Sequence, residues 1–389
     1  MREVFLDYAS TSPVDPDVQQ AIMQSFQDCI GNPSSIHHFG RKSRETVETN
    51  RGHVAKLLGC KTDEIVFTAG GTEANNLAIK GTAYIHKDKR DTKGPHIITS
   101  VIEHPAILEP CRSLEDDGYK VAYLPVDKYG LIDLHQLQDT ITKDTFLITI
   151  MTANNEIGTI EPISEIGKIA HDHNILFHTD AVQGVGKLPI DVKKYNIDML
   201  SLSAHKFYGP KGVGALYVRN GVKLQPLMHG GGHEKGLRSS TLNVPGIAGV
   251  GKAAELAHQR MPTDPKLIQE NRDHLIKRIL TIEESYLNGH PTKRLCNNAH
   301  FRFTGIEGES LLLSLDDKGI AASTGSACSS QKQQASHVLL AIGLSHVEAH
   351  GSLRFSLGRL TTKEDVDYVA DELPGIVNRL RQMSPMWNR

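Results

Sequence analysis

Between about residues 64 and 220 the chain alternates two textures. Short, nearly continuous apolar runs are separated by stretches in which apolar residues recur every three or four positions. The runs at 64–68, 96–100, 121–126, 146–152, 175–179, 199–203 and 215–218 have strand length. They lack in/out alternation, the mark of strands covered on both faces. Helical periods between such strands predict an α/β fold, a mostly parallel seven-stranded sheet wrapped by helices. Upstream, a helix is predicted to open at Asp15-Pro16. Asp caps the free N–H groups, Pro suits the first turn, and Val18, Ala21, Ile22 and Phe26 form an apolar face. Past about residue 255 the texture changes. A long polar helical stretch at 265–284 leads into fewer strand runs, and Thr361-Thr-Lys-Glu364 opens another helix with an acid near its N-terminus. The division predicted is a large α/β domain over 15–256 and a smaller α+β domain from 1–14 and 257–389.

Composition narrows the function classes. Of 389 residues, 39% are hydrophobic and 23% charged, and the formal net charge is −2. That balance leaves no electrostatic footprint for nucleic acid or an anionic membrane. No apolar run approaches the length of a membrane span. The N-terminal Met-Arg-Glu-Val-Phe-Leu-Asp7 places acids where a signal peptide needs an apolar core, so a cytoplasmic protein is expected. The five cysteines are widely spaced, which favours neither a disulfide framework nor a zinc ribbon. Cys29, Cys60, Cys111 and Cys296 sit among ordinary helix or strand residues and read as small core hydrophobes. Cys328 lies in Ser323-Thr-Gly-Ser-Ala-Cys-Ser-Ser330, small polar residues that make poor core and suit an exposed thiol. Of the twenty histidines, the pairs His171/His173 and His229/His233 have no third ligand nearby. No resident metal is expected.

Three predicted strands end in chemistry. One runs into Gly70-Gly71-Thr72, one into Asp180, and one into Ser203, His205 and Lys206. Open α/β sheets bind ligands beyond the carboxyl ends of their strands, so one cleft is expected to hold all three. Each group matches a part of pyridoxal phosphate. The Gly-Gly-Thr turn offers backbone N–H groups at a helix N-terminus to a phosphate. Lys206 suits a Schiff base with the aldehyde, and Asp180 suits the protonated pyridine nitrogen. Taken singly, each fragment has a plainer reading: a turn, a helix cap, a solvated strand end. Their coincidence on three strand ends, followed by the glycine-rich 208–214, outweighs those readings. No GxGxxG opens a helix after a strand, which discounts a dinucleotide site.

The chain resembles the cysteine desulfurases of the NifS/IscS branch, class-V aminotransferases with the aspartate-aminotransferase-like fold. The resemblance runs nearly end to end. It includes Leu6-Asp-Tyr-Ala-Ser-Thr-Ser-Pro13, Phe67-Thr-Ala-Gly-Gly-Thr-Glu-Ala-Asn-Asn76, Ile102-Glu-His-Pro105 and Ala153-Asn-Asn-Glu-Ile-Gly158. It continues through His178-Thr-Asp-Ala-Val-Gln183, Ser203-Ala-His-Lys206, Leu237-Arg-Ser-Ser-Thr241, Thr324-Gly-Ser-Ala-Cys328 and Leu353-Arg-Phe-Ser356. What it implies is specific. His104 would stack on the cofactor ring and take part in proton transfer. Gln183 and Asn155 would lie at the ring hydroxyl, Asn155 also at the substrate. Ser203 and His205, with Gly71 and Thr72, would hold the phosphate. Thr241 would reach the phosphate of a second subunit, making a homodimer, and Arg354 would clamp the substrate carboxylate. Catalysis would rest on Lys206, His104 and Cys328, on a loop near 323–336 that swings out to a sulfur acceptor.

The activity so implied is removal of sulfur from L-cysteine, leaving L-alanine and a persulfide on Cys328. The sulfur would pass to an iron–sulfur scaffold protein, and Cys328 is the candidate for transient ligation of a cluster. Alternatives stay open: a selenocysteine lyase or general β-lyase on the same cofactor, or a catalytically idle sulfur carrier. IscS-type members carry a longer C-terminal tail that helps dock the scaffold, so the docking mode is open. Ser240, where glycine is common before the Thr, reads as a conservative change.

Overall fold

The computed structural model describes residues 2–86, 94–324 and 335–387. In chain order its elements are β1 (Val4–Phe5), α1 (Pro16–Asp28), α2 (His38–Leu58), β2 (Ile65–Thr68), α3 (Gly71–His86), β3 (His96–Ser100), α4 (Pro105–Asp116) and β4 (Lys120–Leu124). Then come α5 (Leu134–Thr140), β5 (Thr145–Thr149), α6 (Ile163–Asp172), β6 (Leu176–Asp180), β7 (Met199–Ser203), β8 (Gly214–Val218), α7 (Val244–Arg260) and α8 (Asp264–Ile279). The chain closes with β9 (Ser285–Asn288), β10 (Asn298–Phe303), α9 (Gly308–Asp316), β11 (Ile320–Ala321), α10 (His337–Ala341), α11 (His346–His350), β12 (Ser352–Ser356) and α12 (Lys363–Met383).

Seven strands form the central sheet in the order β2-β8-β7-β6-β5-β3-β4. β8 runs antiparallel to β2 and β7, and the other pairs are parallel. Alternate side chains feed two cores, as a pleat with period two requires. Ile98, Ile148, Phe177 and Leu200 pack with Val54, Ile166 and Val250 of the helices on one face. Ile97, Leu147, Met199 and Leu216 pack with Leu77, Ile107 and Cys111 on the other. Each such side chain contributes about 1.5–3 kcal/mol on burial. Double coverage is why the runs read as continuously apolar.

The strand at 146–152 ends earlier than its apolar run. Met151 N–H donates to the buried Glu103 carboxyl at 2.9 Å. Regular pairing ends at Thr149, although Ile150 and Thr152 N–H still donate to His178 O and Asp180 O of β6 at 3.2 and 2.9 Å. The helix expected at 265–284 stops at Ile279, and Glu284 adopts a positive φ of 51°. α1 opens as predicted, with Asp15 accepting from Asp17 N–H at 2.8 Å. Its expected apolar face is only partly used. Val18 is buried, but Phe26 is 63% exposed, with Met23 and Ile30 also exposed. Within one chain, that side of α1 has no partner to cover it.

A third core joins Val4 and Leu6 to Leu275, Phe301, Phe355, Leu373 and Val377. The N-terminal segment thus belongs with the last third of the chain, where β1 pairs with β11 and β10 lies between β9 and β12. Arg359 ties this unit to the start of α1 by pairing with Asp15, and its guanidinium lies 3.9 Å over the Tyr208 ring. Among the described residues, no helix is long and apolar enough to cross a membrane.

Candidate active site

A cavity of about 770 Å³ opens at the carboxyl ends of the central strands. Its lining includes Gly70, Gly71 and Thr72 after β2, His104 after β3, Asn155 after β5, Asp180 and Gln183 at and after β6, and Ser203, His205 and Lys206 at and after β7. Arg354 of β12 reaches the same cavity from the smaller unit. The three predicted strand ends therefore do meet in one cleft. Thr241 does not line it and is exposed. Cys328 lies outside the described residues.

Asp180 ends β6 at 6% exposure. Its Oδ2 accepts from Asn75 Nδ2 at 2.7 Å and its Oδ1 from Val182 N–H at 3.0 Å. Two donors fix a carboxylate and still leave lone pairs for a third. Gly71 starts α3 where the chain passes against Val182: an added Cβ would sit 2.6 Å from Val182 Cγ2. Only glycine lets the helix N-terminus, with its free N–H groups, come this near the segment after Asp180. Lys206 Nζ donates to the carbonyls of Ala9 and Ser10, each at 2.7 Å. Gln183 Nε2 donates to Ala9 O at 2.9 Å, while its Oε1 is buried with no partner. Arg354, 2% exposed, donates from Nη1 to Asn155 O at 2.8 Å and from Nη2 to Ser10 Oγ at 2.8 Å and Asp7 Oδ1 at 3.0 Å.

Electrostatics sort the two histidines. Burial, with Lys206 nearby and against the pull of Asp180, lowers the pKa of His104. Its Nδ1 accepts from Ala106 N–H at 3.0 Å, so the neutral ring carries its hydrogen on Nε2. Burial, then Lys206 and Lys211, push His205 down to about 4, which keeps it neutral near pH 7. Burial raises the Glu103 carboxyl well above its ordinary range, and that of Glu156, which lines the cavity, is also raised by burial. Both are therefore biased toward the protonated form.

Sequence reading missed several residues. Asn75 stands one helical turn beyond Gly71, so the i, i+4 spacing was available as a signal. Asp7 and Ser10 had no local signal, since their partner Arg354 is 347 and 344 residues away. His337, which also lines the cleft, donates from Nε2 to Glu103 O at 3.0 Å. Ser240 is not the conservative change expected: its φ of 111° falls where glycine is favoured and a side chain is strained.

The cleft fits pyridoxal phosphate by its donor set. An anionic acceptor, a lysine, a helix N-terminus flanked by Ser203 and His205, and the orphaned Gln183 oxygen correspond to the ring nitrogen, aldehyde, phosphate and hydroxyl of that cofactor.

Residues 4–369 match the family model described as Aminotransferase class-V. A curated relative, the cysteine desulfurase IscS of Dictyoglomus turgidum, is 53% identical over 385 residues, covering 99% of this chain and 97% of that one. A solved structure described as a NifS-like protein superposes with a TM-score of 0.91 at 38% identity, over 97% of this chain and 100% of that one. Another, described as SspA in complex with cysteine, gives 0.81 at 40% identity, over 92% and 100%.

Proposed function

We infer that this chain, which belongs to the class-V aminotransferase family, is a cysteine desulfurase that uses pyridoxal phosphate to move the sulfur of L-cysteine onto Cys328. The observation that carries the reading is the meeting of Lys206, Asp180, His104 and Arg354 in one cleft. Asp180 would hold the ring nitrogen, and Lys206 would hold the aldehyde. The start of α3, with Thr72, Ser203 and His205, would hold the phosphate, and Gln183 and Asn155 the ring hydroxyl. When bound, the cofactor supplies an electron sink for bonds at the substrate carbon atoms.

The chain's own residues do the rest. Arg354 orients the substrate by its carboxylate, a task suited to a planar fork. Lys206 Nζ removes the Cα proton. His104, which lines the same cavity, serves as a proton carrier. The thiolate of Cys328 attacks the substrate sulfur: an S–S bond forms, the Cβ–S bond breaks, and its electron pair stays on carbon. Protonation of that carbon and return of a proton to Cα give alanine, and Cys328 is left as the persulfide. Its sulfur then passes to an acceptor thiol, an iron–sulfur scaffold in this reading. The unit that acts is a homodimer, in which exposed Thr241 serves the phosphate of the second copy. The uncovered apolar side chains Met23, Phe26 and Ile30 support a covered face there. The division into 15–256 and 1–14 with 257–389 belongs to the same reading.

Substituting Cys328→Ala tests it. The purified protein should still hold pyridoxal phosphate, fixed to Lys206 by borohydride, and should release no alanine from cysteine. Alanine release at the wild-type rate would exclude the persulfide route, and failure of Lys206 to retain the cofactor would exclude the whole assignment.

A further inference from the structure

Arg354 meets a carboxylate in this chain before any substrate arrives. Its Nη2 donates to Asp7 Oδ1 at 3.0 Å and to Ser10 Oγ at 2.8 Å, and the Ser10 hydroxyl donates to the same Asp7 oxygen at 2.8 Å. Three groups close a triangle around one guanidinium nitrogen. Asp7 does not line the cavity, whereas Ser10 and Arg354 do. The Asp7 carboxylate therefore backs the fork and does not fill the place a substrate would take.

The backing is held by main chain on both sides. Asp7 bridges Ser356, Tyr8 N–H donates to Ser356 O at 3.2 Å, and Ser356 N–H donates to Leu6 O at 2.7 Å. On the other side, Arg354 and Ser323 exchange both backbone hydrogen bonds, at 2.6 and 3.1 Å. The Arg354 side chain is 3% exposed and that of Asp7 is 21% exposed, so solvent screens the pair poorly. A buried cation with a fixed counter-charge attracts a second carboxylate less than an uncompensated one does.

We propose that Asp7 is a positioning residue that sets the affinity of Arg354 for the carboxylate of substrate and product. It orients the fork and offsets its charge, so that alanine, which keeps the carboxylate of cysteine, is held weakly enough to leave. This rests on the reading of Arg354 as the carboxylate clamp. Binding must be favourable enough to orient cysteine, yet tight product binding would make release the slow step.

The test removes the charge and keeps the shape. Asp7→Asn retains Oδ1 as an acceptor for Nη2. On the holoenzyme, calorimetry should find L-alanine bound about tenfold more tightly by Asp7→Asn than by wild type, the scale of one charge-assisted hydrogen bond. Ethylamine, which lacks the carboxylate, should bind the two proteins equally. In turnover, KM for cysteine and kcat should both fall, the signature of slowed release. Asp7→Ser serves for the same comparison if the Asn protein does not fold. Unchanged or weaker alanine binding by the folded variant overturns the proposal, as does an equal change for ethylamine. Arg354→Gln separates the two readings. If it binds alanine as wild type does, the clamp itself is wrong. If it loses alanine while Asp7→Asn changes nothing, only the role of Asp7 falls.

Discussion

Gly71 is a place where a single methyl group tests how the cleft is built. An Ala side chain at 71 would put Cβ 2.6 Å from Val182 Cγ2, whereas ordinary contacts lie at 3.4–4 Å; its next neighbour, Ser203 Cβ, is at a harmless 3.6 Å. Overpacking of this kind costs about 1–3 kcal/mol. The replacement also gains up to about 1 kcal/mol, since Ala is the better helix former. The clash wins, and Gly71→Ala should lose about 1–2 kcal/mol. The strain falls on the segment between Asp180 and Gln183, so retention of pyridoxal phosphate should weaken with it. Because one atom is responsible, Val182→Ala should rescue. Alone, that truncation should cost about 0.5–1.5 kcal/mol. In the double variant the two losses should fall short of their sum by about 1–2 kcal/mol. Urea melts of the four proteins, with and without cofactor, measure the cycle. Strictly additive losses, or a Gly71→Ala protein as stable as wild type, would refute the close approach of α3 to Val182.

Other outcomes follow from single residues. Arg354→Lys keeps charge but loses the fork, and should lower kcat/KM for cysteine by the equivalent of roughly 1.5–3 kcal/mol; an unchanged value excludes the clamp. Ser240→Gly should raise stability by about 1 kcal/mol, because relief of strain at φ 111° exceeds the added chain entropy; a lower melting temperature would contradict this. Glu161, 2% exposed, is pushed up to about 8 by burial. The folded form then holds a proton that the unfolded chain releases near pH 4. Stability from this group is complete below about pH 4 and is lost progressively up to about pH 8, by on the order of 5 kcal/mol at most. Glu161→Gln should flatten that arm of the stability–pH curve, and an unaltered arm assigns it elsewhere.

The strands β3 and β7 begin and end where their apolar runs do, and the Asp15 cap opens α1 where it was expected. Such features are legible because their causes lie within a few residues: burial on both faces, a carboxylate one position before a proline. The strand-end chemistry of Asp180 and Lys206 was legible for a related reason. A parallel sheet sends every strand end to one side, so order along the chain already says which residues share an edge. Tertiary structure alone decided the rest. Met151 gives its N–H to the carboxyl of Glu103, 48 residues earlier, and not to a neighbouring strand. Phe26 has an apolar pattern around it and still faces outward, because pattern names a face and cannot name the partner that covers it. Arg354 acquires Asp7 from the far end of the chain by strand pairing, and no local period records a contact made across the whole fold.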